Sequence, residues 1–276
     1  MRPVDAADAG SLIIGEIRVD AVVDALTEFE SAGMFAASPL PWPVSEFDVR
    51  FPGEFDDGRW RLIIRSFLIR SAGVSILVDA GAGPATIGLA QAMGIKGRLP
   101  ERLAELDVDL ASINHVVITH AHWDHVGWIV GTGGDGPRPT FPRARYHLHP
   151  ADFAMAESQR EGDQGQYWDE VFAPLAASGQ LVLASAESDL APGVRLINAA
   201  GHTPGHRVVR VTGGGQALLV VGDLVHFSFQ IKDPSVASPF DEDPVAAART
   251  RARVLASAPG AIIASPHLPA AFTKPD

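Results

Sequence analysis

The sequence contains no cysteine among its 276 residues. This absence excludes a disulfide framework, a thiol nucleophile and a zinc site of the cysteine-rich finger type. Positive charge is also scarce, because 22 lysines and arginines face 33 acidic residues and the formal net charge is −11 at pH 7. A chain this acidic is poorly suited to binding phosphate backbones, so we expect no nucleic-acid partner.

Long apolar runs are missing as well. No stretch approaches the roughly 20 apolar residues that a membrane-spanning helix needs, so we expect no membrane partner. Residues 1–20 lack the basic start and the long apolar run of a secretory signal. The expected location is therefore the cytoplasm.

The chain nevertheless has enough apolar residues, 46% of the total, to form a sizeable core. Its 27 glycines and 21 prolines are spread along the sequence, which indicates many turns between short elements. No proline-rich or serine-rich linker divides the chain. We therefore expect a single domain over residues 1–276.

Predicted strands and helices mix through both halves of the chain, which indicates an α/β layered architecture. Apolar and β-branched runs predict strands at 13–23, 61–70, 73–79, 115–119, 144–149, 194–198, 208–211, 217–221 and 261–264. Helices are predicted at 85–93, 100–106 and 151–178. A last helix is expected with Asp243 as its cap, Pro244 in its first position and Gly260 at its end.

A segment rich in proline and aromatic residues, 33–57, separates the first two predicted strands. A loop of this length is uncommon in a compact domain unless it has a function, so it is a candidate wall or lid of a pocket. Phe35 and Trp42 are its candidate pocket residues. The alternative is a surface excursion that packs its own aromatics. If these aromatics are exposed, a homodimer is plausible.

The strongest chemical signal is the run His120-Ala-His122-Trp-Asp124-His125. Imidazole and carboxylate are the groups with which zinc, manganese and iron are bound when thiolate is absent. On a loop that leaves a strand, His120 and His122 can point the same way and hold one ion. Asp124 and His125 then project around the turn and can hold a second ion, while Gly127 allows a tight fold behind them.

A ligand loop needs partners from elsewhere in the chain, and three residues are suitable. His202 lies in the turn Ala-Gly-His-Thr-Pro-Gly-His, Asp223 follows the apolar run 218–222, and His267 follows 262–266. Each is a ligand-type side chain at the end of a predicted strand or the start of a turn. A precise site is best built at such positions, because rigid elements hold the side chains.

Taken together, these residues resemble the metallo-β-lactamase superfamily, whose H-x-H-x-D-H loop is followed by a His, an Asp and a His. The resemblance extends from about residue 74 to residue 267, and all seven positions are filled. It implies a four-layer αβ/βα sandwich with the metals at one edge of the paired sheets. It also implies that the protein is a metal-dependent hydrolase acting on a small molecule.

The resemblance implies two divalent metal ions, with zinc the first choice and manganese or iron as alternatives. The implied roles are His120, His122 and His202 for the first ion, Asp124, His125 and His267 for the second, Asp223 as the bridge, and Asp79 as the acid that supports the ligand loop through hydrogen bonds. Two such ions sharing a water would give a hydroxide nucleophile at pH 7. Asp124 or a metal-bound water could then pass a proton to the leaving group.

The remaining histidines near the motifs are interpreted differently. Packing or hydrogen-bonding roles are expected for His115, His147, His149 and His206. His226 lies three residues after Asp223, near the expected opening of the site, and is a candidate catalytic or substrate-contacting residue. Phe227 and Phe229 could line the pocket, although apolar residues after a strand are most often core.

Departures from individual branches of the superfamily narrow the function. Asp223 excludes the β-lactamases with a cysteine ligand, and His122 disfavours the flavin-linked di-iron branch, which has Glu there. N-acyl homoserine lactonases typically carry a tyrosine three residues after the bridging Asp, where this chain has His226. The segment Gly-Asp-Leu-Val-His at 222–226 looks more like the methyl parathion hydrolase branch.

The expected activity is hydrolysis of a small ester, lactone or phosphotriester by a two-metal site. Nucleic-acid-cleaving branches usually have basic surfaces, and glyoxalase II needs a basic grip for glutathione; neither feature is found here. The alternative is a non-catalytic metal-binding or ligand-sensing protein of the same fold. Seven intact ligand positions argue against that alternative.

Overall fold

Two β-sheets form the centre of the fold in the computed structural model, which describes residues 10–36, 40–86, 88–133, 136–162 and 165–275. The strands are β1 (Gly10–Ile14), β2 (Ile17–Glu30), β3 (Phe55–Asp56), β4 (Arg59–Ser71), β5 (Val74–Val78), β6 (His115–Val117), β7 (Val130–Gly133), β8 (Gly136–Pro139), β9 (Arg145–Leu148), β10 (Leu181–Leu183), β11 (Ser188–Ala191), β12 (Val194–Asn198), β13 (Arg207–Gly213), β14 (Gln216–Val220), β15 (Ile262–Ala264) and β16 (Phe272–Thr273). The first sheet has the order β1-β2-β4-β5-β6-β9-β10, with β3 paired to β4, and the second has the order β11 to β16. Strands β7 and β8 pair only with each other.

Short helices connect and cover these strands. They are α1 (Ser31–Met34), α2 (Phe47–Arg50), α3 (Gly88–Ala92), α4 (Leu99–Glu105), α5 (Trp123–Val126), α6 (Pro150–Ser158), α7 (Gly165–Tyr167), α8 (Ala173–Ala177), α9 (Phe229–Lys232) and α10 (Pro244–Ala256). A π-helical turn, Trp168–Phe172, joins α7 to α8, and 3-10 turns occupy Val44–Glu46, Leu110–Ser112 and Gly222–Leu224. Within the described ranges, no helix has the length and apolar character needed to cross a bilayer.

Three apolar cores define four layers. Strand β5 illustrates the arrangement, since Ile76 and Val78 pack between the two sheets while Leu77 packs on the opposite face, as a strand period of two requires. On that outer face, Leu77 belongs to a core that includes Leu103 of α4. On the outer face of the second sheet, Val254 of α10 is buried in a third core. The predicted four-layer αβ/βα sandwich is therefore confirmed.

Parallel strand pairs bring the candidate site residues to one edge of the sandwich. Strand β5 is parallel to β6, and β14 is parallel to β15. Asp79 directly follows β5, and His120 comes three residues after β6. In the second sheet, Asp223 comes three residues after β14, and His267 comes three residues after β15. Because parallel strands end at the same edge of a sheet, these side chains can converge.

Two predicted elements are divided in the structure. The predicted strand 13–23 is in fact a hairpin of β1 and β2, in which Ile14 pairs with Ile17. Gly15 makes the turn between them with a φ of 62°, a conformation that glycine adopts without steric cost. The predicted helix 151–178 is broken into α6, α7, the π-helical turn and α8. Gly162 falls in the interruption between α6 and α7, and Gly165 is the first residue of α7; glycine has a low helix propensity.

The last helix begins as predicted and ends earlier. The Asp243 carboxylate accepts hydrogen bonds from the backbone N–H groups of Val245 and Ala246, and Pro244 is the first helical residue. The helix ends at Ala256, so the prediction that it ends at Gly260 is wrong. Gly260 instead lies in the turn before β15, with a φ of 73°.

The segment 33–57 packs its aromatic side chains inward. Phe35, Phe47 and Phe55 are each at most 3% exposed and belong to one core cluster with Phe227. Trp42 packs edge-on against Phe229 of α9, with ring centroids 5.4 Å apart. These aromatic side chains pack against other residues of the same chain. The exposed aromatic surface that would favour a homodimer is therefore not present at these positions.

Candidate metal centre

The histidine run forms a tight loop between β6 and α5. His122 precedes the helix, and Asp124 and His125 lie within its single turn. The His125 carbonyl accepts a hydrogen bond from the Ala80 N–H at 2.8 Å, which seats the helix on the glycine turn after β5. A side chain at Gly127 would lie 2.0 Å from the Ala82 carbonyl carbon, so only glycine allows this approach.

The downstream residues reach the same place from three other turns. His202 lies between β12 and β13, Asp223 lies in the 3-10 turn after β14, and His267 follows β15. At the start of the Asp223 turn, Gly222 has a φ of 50°, and a Cβ there would lie 2.9 Å from His206 Nε2. The turn thus packs directly against the histidine loops, and all three downstream residues are buried.

Four residues form a first group of possible metal-binding atoms. His122 Nδ1 lies 3.0 Å from His120 Nε2 and 3.0 Å from His202 Nε2. Oδ2 of Asp223 lies 3.5 Å from His120 Nε2 and 3.4 Å from His202 Nε2. All four ligand atoms lie within 4.8 Å of one another, so a single cation could contact each of them.

Asp124, His125 and His267 form a second group within the same limit of 4.8 Å. Oδ2 of Asp124 lies 3.7 Å from Nε2 of both histidines. The other oxygen of Asp223, Oδ1, lies 3.0 Å from His125 Nε2 and 2.9 Å from His267 Nε2. Asp223 therefore presents one oxygen to each group, as a bridging carboxylate would.

Asp79 organises the loop from behind. Its Oδ1 accepts from the Thr119 N–H at 2.7 Å, and its Oδ2 accepts from Thr119 Oγ1 and from His125 Nδ1, each at 2.9 Å. Because the Thr119 hydroxyl donates to Asp79, it accepts from His120 Nδ1 at 3.0 Å. Both histidines thus carry hydrogen on Nδ1 and turn the lone pair of Nε2 towards the centre. These are the contacts expected of a supporting acid.

The two histidines from the second half of the chain follow the same rule. His267 Nδ1 donates to the Ile63 carbonyl at 2.7 Å. His202 Nδ1 lies 3.2 Å from Asp241 Oδ1. In each case the far nitrogen has an acceptor, so Nε2 is left to face the centre. Neither Ile63 nor Asp241 carries a sequence signal of this role.

Asp152, at the start of α6, ties the two histidine loops together. Its carboxylate accepts from the Ala121 N–H at 3.1 Å, from Thr203 Oγ1 at 2.9 Å and from the Gly205 N–H at 2.6 Å. Burial raises the pKa of Asp152 to about 6, which these hydrogen bonds oppose. Sequence reasoning missed this residue, because nothing in a helical segment marks an acid that contacts two distant loops.

The electrostatics of the centre favour a cation. Burial lowers the pKa of His122 to about 3 and the pKa of His202 well below its ordinary value, so both imidazoles offer lone pairs. Burial also acts to lower the pKa of His125, but Asp223, Asp124 and Asp79 raise it well above the ordinary value. Because three carboxylates surround one imidazole, they stabilise a positive charge at this point.

The residues present fit two divalent metal ions. His125 Nε2 is buried without a hydrogen-bond partner although Asp223 Oδ1 is only 3.0 Å away. With hydrogen on Nδ1, both of these atoms are acceptors, and a cation between them would satisfy both. Imidazole nitrogens 3.0 Å apart, as around His122, likewise point to a shared third atom. The donor set of imidazoles and carboxylates suits zinc, manganese or iron.

A cavity of about 320 Å³ opens directly above the two groups. Its polar floor consists of His122, Asp124, Asp223, His226 and His267. Its apolar walls are Phe29, Trp60, Leu62, Leu89, Trp123 and Phe240. No lysine or arginine lines it among the residues that the structure describes. The cavity therefore suits an uncharged, largely apolar molecule.

His226 lies at the boundary between the ligand groups and this cavity. Its Nε2 is 3.0 Å from Asp223 Oδ2, and its Nδ1 is buried without a hydrogen-bond partner. The ring stacks on His267 with a centroid distance of 5.8 Å and packs against Phe240 at 5.4 Å. The structure thus brings His226 together with the metal-binding candidates and into the cavity.

The four aromatic residues predicted to line the pocket do not reach this cavity. Phe35, Trp42, Phe227 and Phe229 belong to, or pack on, the aromatic cluster behind it. The ring centroid of Phe227 lies 5.0 Å from that of Trp60, and Trp60 is the residue that lines the cavity. Sequence reasoning missed Trp60, because the predicted strand began at residue 61; β4 begins at Arg59, and alternation places Trp60 and Leu62 on one face.

The other histidines have the structural roles expected of them. His206 Nε2 accepts from the Asp223 N–H at 3.1 Å and so supports the turn without entering either group. His115 Nδ1 and His147 Nε2 face each other at 2.9 Å. His149 accepts from the Ala151 N–H and caps α6.

Comparison with known proteins identifies the family. Residues 59–267 match the model of the metallo-beta-lactamase superfamily, and the chain therefore belongs to that superfamily. The N-acyl homoserine lactonase AiiB of Rhizobium rhizogenes is 28% identical over 219 residues, which cover 70% of this chain and 68% of that protein. The AiiB lactonase of Agrobacterium fabrum is 27% identical over the same length.

Solved structures agree with this fold. The hydrolase AbOPH of the beta-lactamase superfamily superposes with a TM-score of 0.80 at 23% identity, covering 98% of this chain and 94% of that one. AidC, a dizinc quorum-quenching lactonase, superposes with a TM-score of 0.76 at 21% identity, covering 97% and 94%. The family and its relatives support the predicted enzyme class, a metal-dependent hydrolase.

Proposed function

We propose that this protein is a dinuclear metal-dependent hydrolase that cleaves a small, uncharged lactone or ester with an apolar acyl group. The observation that carries the proposal is the apolar cavity above two adjoining groups of metal-binding atoms. The naming of its relatives as N-acyl homoserine lactonases supports a lactone.

In this proposal, zinc is the first choice of metal. The ligands are His120, His122 and His202 for one ion, Asp124, His125 and His267 for the other, and Asp223 for both. When bound, the two ions would supply a water activated for attack and an electrophile for the carbonyl oxygen. No nucleophile from the protein is needed, which fits a chain without cysteine.

The chain's own residues perform the remaining tasks. Asp124 lines the cavity floor, where its carboxylate can hold a proton and pass it to the leaving oxygen. His226 Nε2 lies 3.0 Å from Asp223 Oδ2, so the imidazole can steady that carboxylate where it faces both groups. The walls formed by Trp60 and Phe240 bind the acyl group and exclude water from it.

A phosphotriester is the second candidate substrate. It is uncharged like a lactone, and the same cavity would admit it. Phosphate monoesters and diesters are disfavoured, because the described lining offers no lysine or arginine to pair with their charge. The floor of the cavity includes residues of both groups of metal-binding atoms. A protein that only senses a ligand would not need this arrangement, so hydrolysis is the favoured function.

A substrate panel tests the proposal. The protein is reconstituted with Zn²⁺, Mn²⁺ or Fe²⁺ and assayed on acyl lactones, aryl esters and phosphotriesters, with metal content measured on the same samples. We expect about two ions per chain and the highest kcat/KM on lactones or esters. Equal background rates across the panel, with metal bound, would favour the sensing alternative.

A further inference from the structure

A buried chain of polar contacts joins helix α10 to His202. His202 Nδ1 lies 3.2 Å from Asp241 Oδ1. The other oxygen of Asp241 accepts from Arg251 Nη2 at 3.2 Å and from the Ser238 N–H at 2.9 Å. The side chains of His202, Asp241 and Arg251 are all fully buried. Charged side chains are rarely buried in this way unless they are paired.

The Arg251 guanidinium connects two further segments of the site. Its Nε donates to the Leu224 carbonyl at 2.6 Å, and Leu224 directly follows Asp223 in the 3-10 turn. Its Nη1 donates to the Pro234 and Val236 carbonyls, each at 2.9 Å. One side chain of α10 therefore holds both the turn that carries Asp223 and the loop that leads to Asp241.

Asp241 determines which nitrogen of His202 carries hydrogen. Because a carboxylate only accepts hydrogen bonds, Nδ1 of His202 must donate to it. Nε2 then bears a lone pair, and it lies 3.0 Å from His122 Nδ1 and 3.4 Å from Asp223 Oδ2. In the other tautomer an N–H would occupy the place of a metal–nitrogen bond.

We propose that Asp241 and Arg251 are positioning residues that hold His202 in the metal-binding tautomer and orientation. The inference rests on the proposed metal centre. The contact between Asp241 and His202 concerns only the first group, because the histidines of the second have separate supports: His125 bonds to Asp79, and His267 bonds to the Ile63 carbonyl. A change at Asp241 should therefore weaken one of two metal-binding steps and leave the other.

The test variant is Asp241→Asn in the full chain. Its amide can turn a donor towards His202 Nδ1, and the ring must then point N–H towards the centre. Zn²⁺ affinity is measured for both binding steps by chelator competition, and Co²⁺ absorption reports the coordination of each site. We expect one step to weaken about tenfold to a hundredfold, the range for such supporting contacts, and the other to change less than about twofold.

A matched control separates positioning from general destabilisation. Asp24 is also a buried carboxylate, but it accepts from the Ala82 and Leu99 N–H groups and from Trp128 Nε1 and touches no imidazole. Asp24→Asn should lower Tm and leave both Zn²⁺ affinities and the Co²⁺ spectrum unchanged.

A second variant, Arg251→Lys, keeps the positive charge beside Asp241 but cannot reach all of the carbonyls that the guanidinium contacts. It should weaken the same step by a smaller factor, and the second step less, because the Leu224 contact of Arg251 also holds the turn of Asp223, which faces both groups. If Asp241→Asn does not fold, Arg251→Lys still tests the positioning role.

The outcomes distinguish this inference from the proposed function. Wild-type protein that binds two ions and hydrolyses lactones, with Asp241→Asn retaining both affinities, overturns the positioning role alone. Equal weakening of both steps, or an equal loss in Asp24→Asn, also overturns it. Wild-type protein that binds no Zn²⁺ overturns the metal centre and the inference together.

Discussion

His226 lies against Asp223, with Nε2 of the imidazole 3.0 Å from Oδ2 of the carboxylate. Asp223 is the residue that faces both groups of metal-binding atoms, and His226 also lines the cavity. His226 is thus placed to link substrate binding to the bridging carboxylate.

Replacement of this imidazole should slow turnover without removing metal. His226→Phe keeps a ring that can stack on His267 but removes the nitrogen that lies 3.0 Å from Asp223 Oδ2. Loss of a buried polar neighbour of a charged group costs about 1.5–3 kcal/mol, so we expect kcat to fall by about tenfold to a hundredfold. Metal analysis should still find two ions per chain. An unchanged kcat would exclude the role, and His115→Phe, a histidine remote from the cavity, is the control.

Loss of a ligand from the first group should remove metal as well as activity. His122 contacts both His120 and His202 through Nδ1, so His122→Ala removes the centre of that group. We expect about one ion fewer per chain and no measurable hydrolysis. Elemental analysis after dialysis measures the loss. His147→Ala is the control, since His147 pairs with His115 outside both groups; equal metal loss in both variants would contradict the assignment.

The length of the acyl chain should control catalytic efficiency. Burial of a methylene contributes about 0.8 kcal/mol, so kcat/KM should rise by roughly fourfold per added methylene until the cavity is full. Phe240 is 37% exposed at the cavity wall, and Phe240→Ala should flatten this dependence, chiefly through KM. Val245→Ala changes a residue that is 61% exposed and does not line the cavity. If both variants give the same slope as the wild type, the acyl group binds elsewhere.

Buried Glu54 should make stability depend on pH. Burial raises the pKa of Glu54 from 4.5 to about 7, and hydrogen bonds from Ser228 oppose this shift. The folded state therefore holds the proton more tightly than the unfolded state. Between pH 4.5 and 7 the contribution of Glu54 to the free energy of unfolding should fall as pH rises, by roughly 3 kcal/mol. Other buried groups also titrate differently in the two states, among them His122, whose lowered pKa acts in the opposite sense, so the contribution of Glu54 is measured as a difference between variants.

Glu54→Gln keeps partners for the Ser228 N–H and hydroxyl but cannot ionise, so it should remove the Glu54 contribution and leave those of the other buried groups. Urea unfolding of wild type and variant at several pH values measures the difference in unfolding free energy, and exposed Glu16→Gln is the control. A difference between wild type and Glu54→Gln that stays constant across this window would contradict the assignment.

Much of the candidate site could be predicted because its signals are local. The run from His120 to His125 lies on a single loop, so its residues are neighbours in any fold. His202, Asp223 and His267 each follow an apolar strand that the sequence predicts. Asp79 was found in the same way, since it ends a buried strand. Parallel pairing then brings these strand ends to one edge, a consequence of the fold class.

The pocket was not predictable in the same way. Phe227 and Phe229 come directly after the Asp223 turn, yet they pack into the aromatic core behind the cavity. Phe29 and Phe240 lie in the cavity wall although they are far apart in the sequence and carry no motif. Whether an aromatic residue faces a core or a cavity depends on neighbours from several segments, which local pattern does not specify.

By itself, the sequence determined the ligand types, their order and the layered α/β class, because metal chemistry restricts the residue types and strand periodicity restricts the elements. Only the tertiary structure decided that Trp60 forms the cavity wall and that Phe227 lies in the aromatic core behind it. It alone placed Asp241 behind His202 and Asp152 between two loops. Those relationships are contacts between distant segments, and they exist only once the two sheets have packed together.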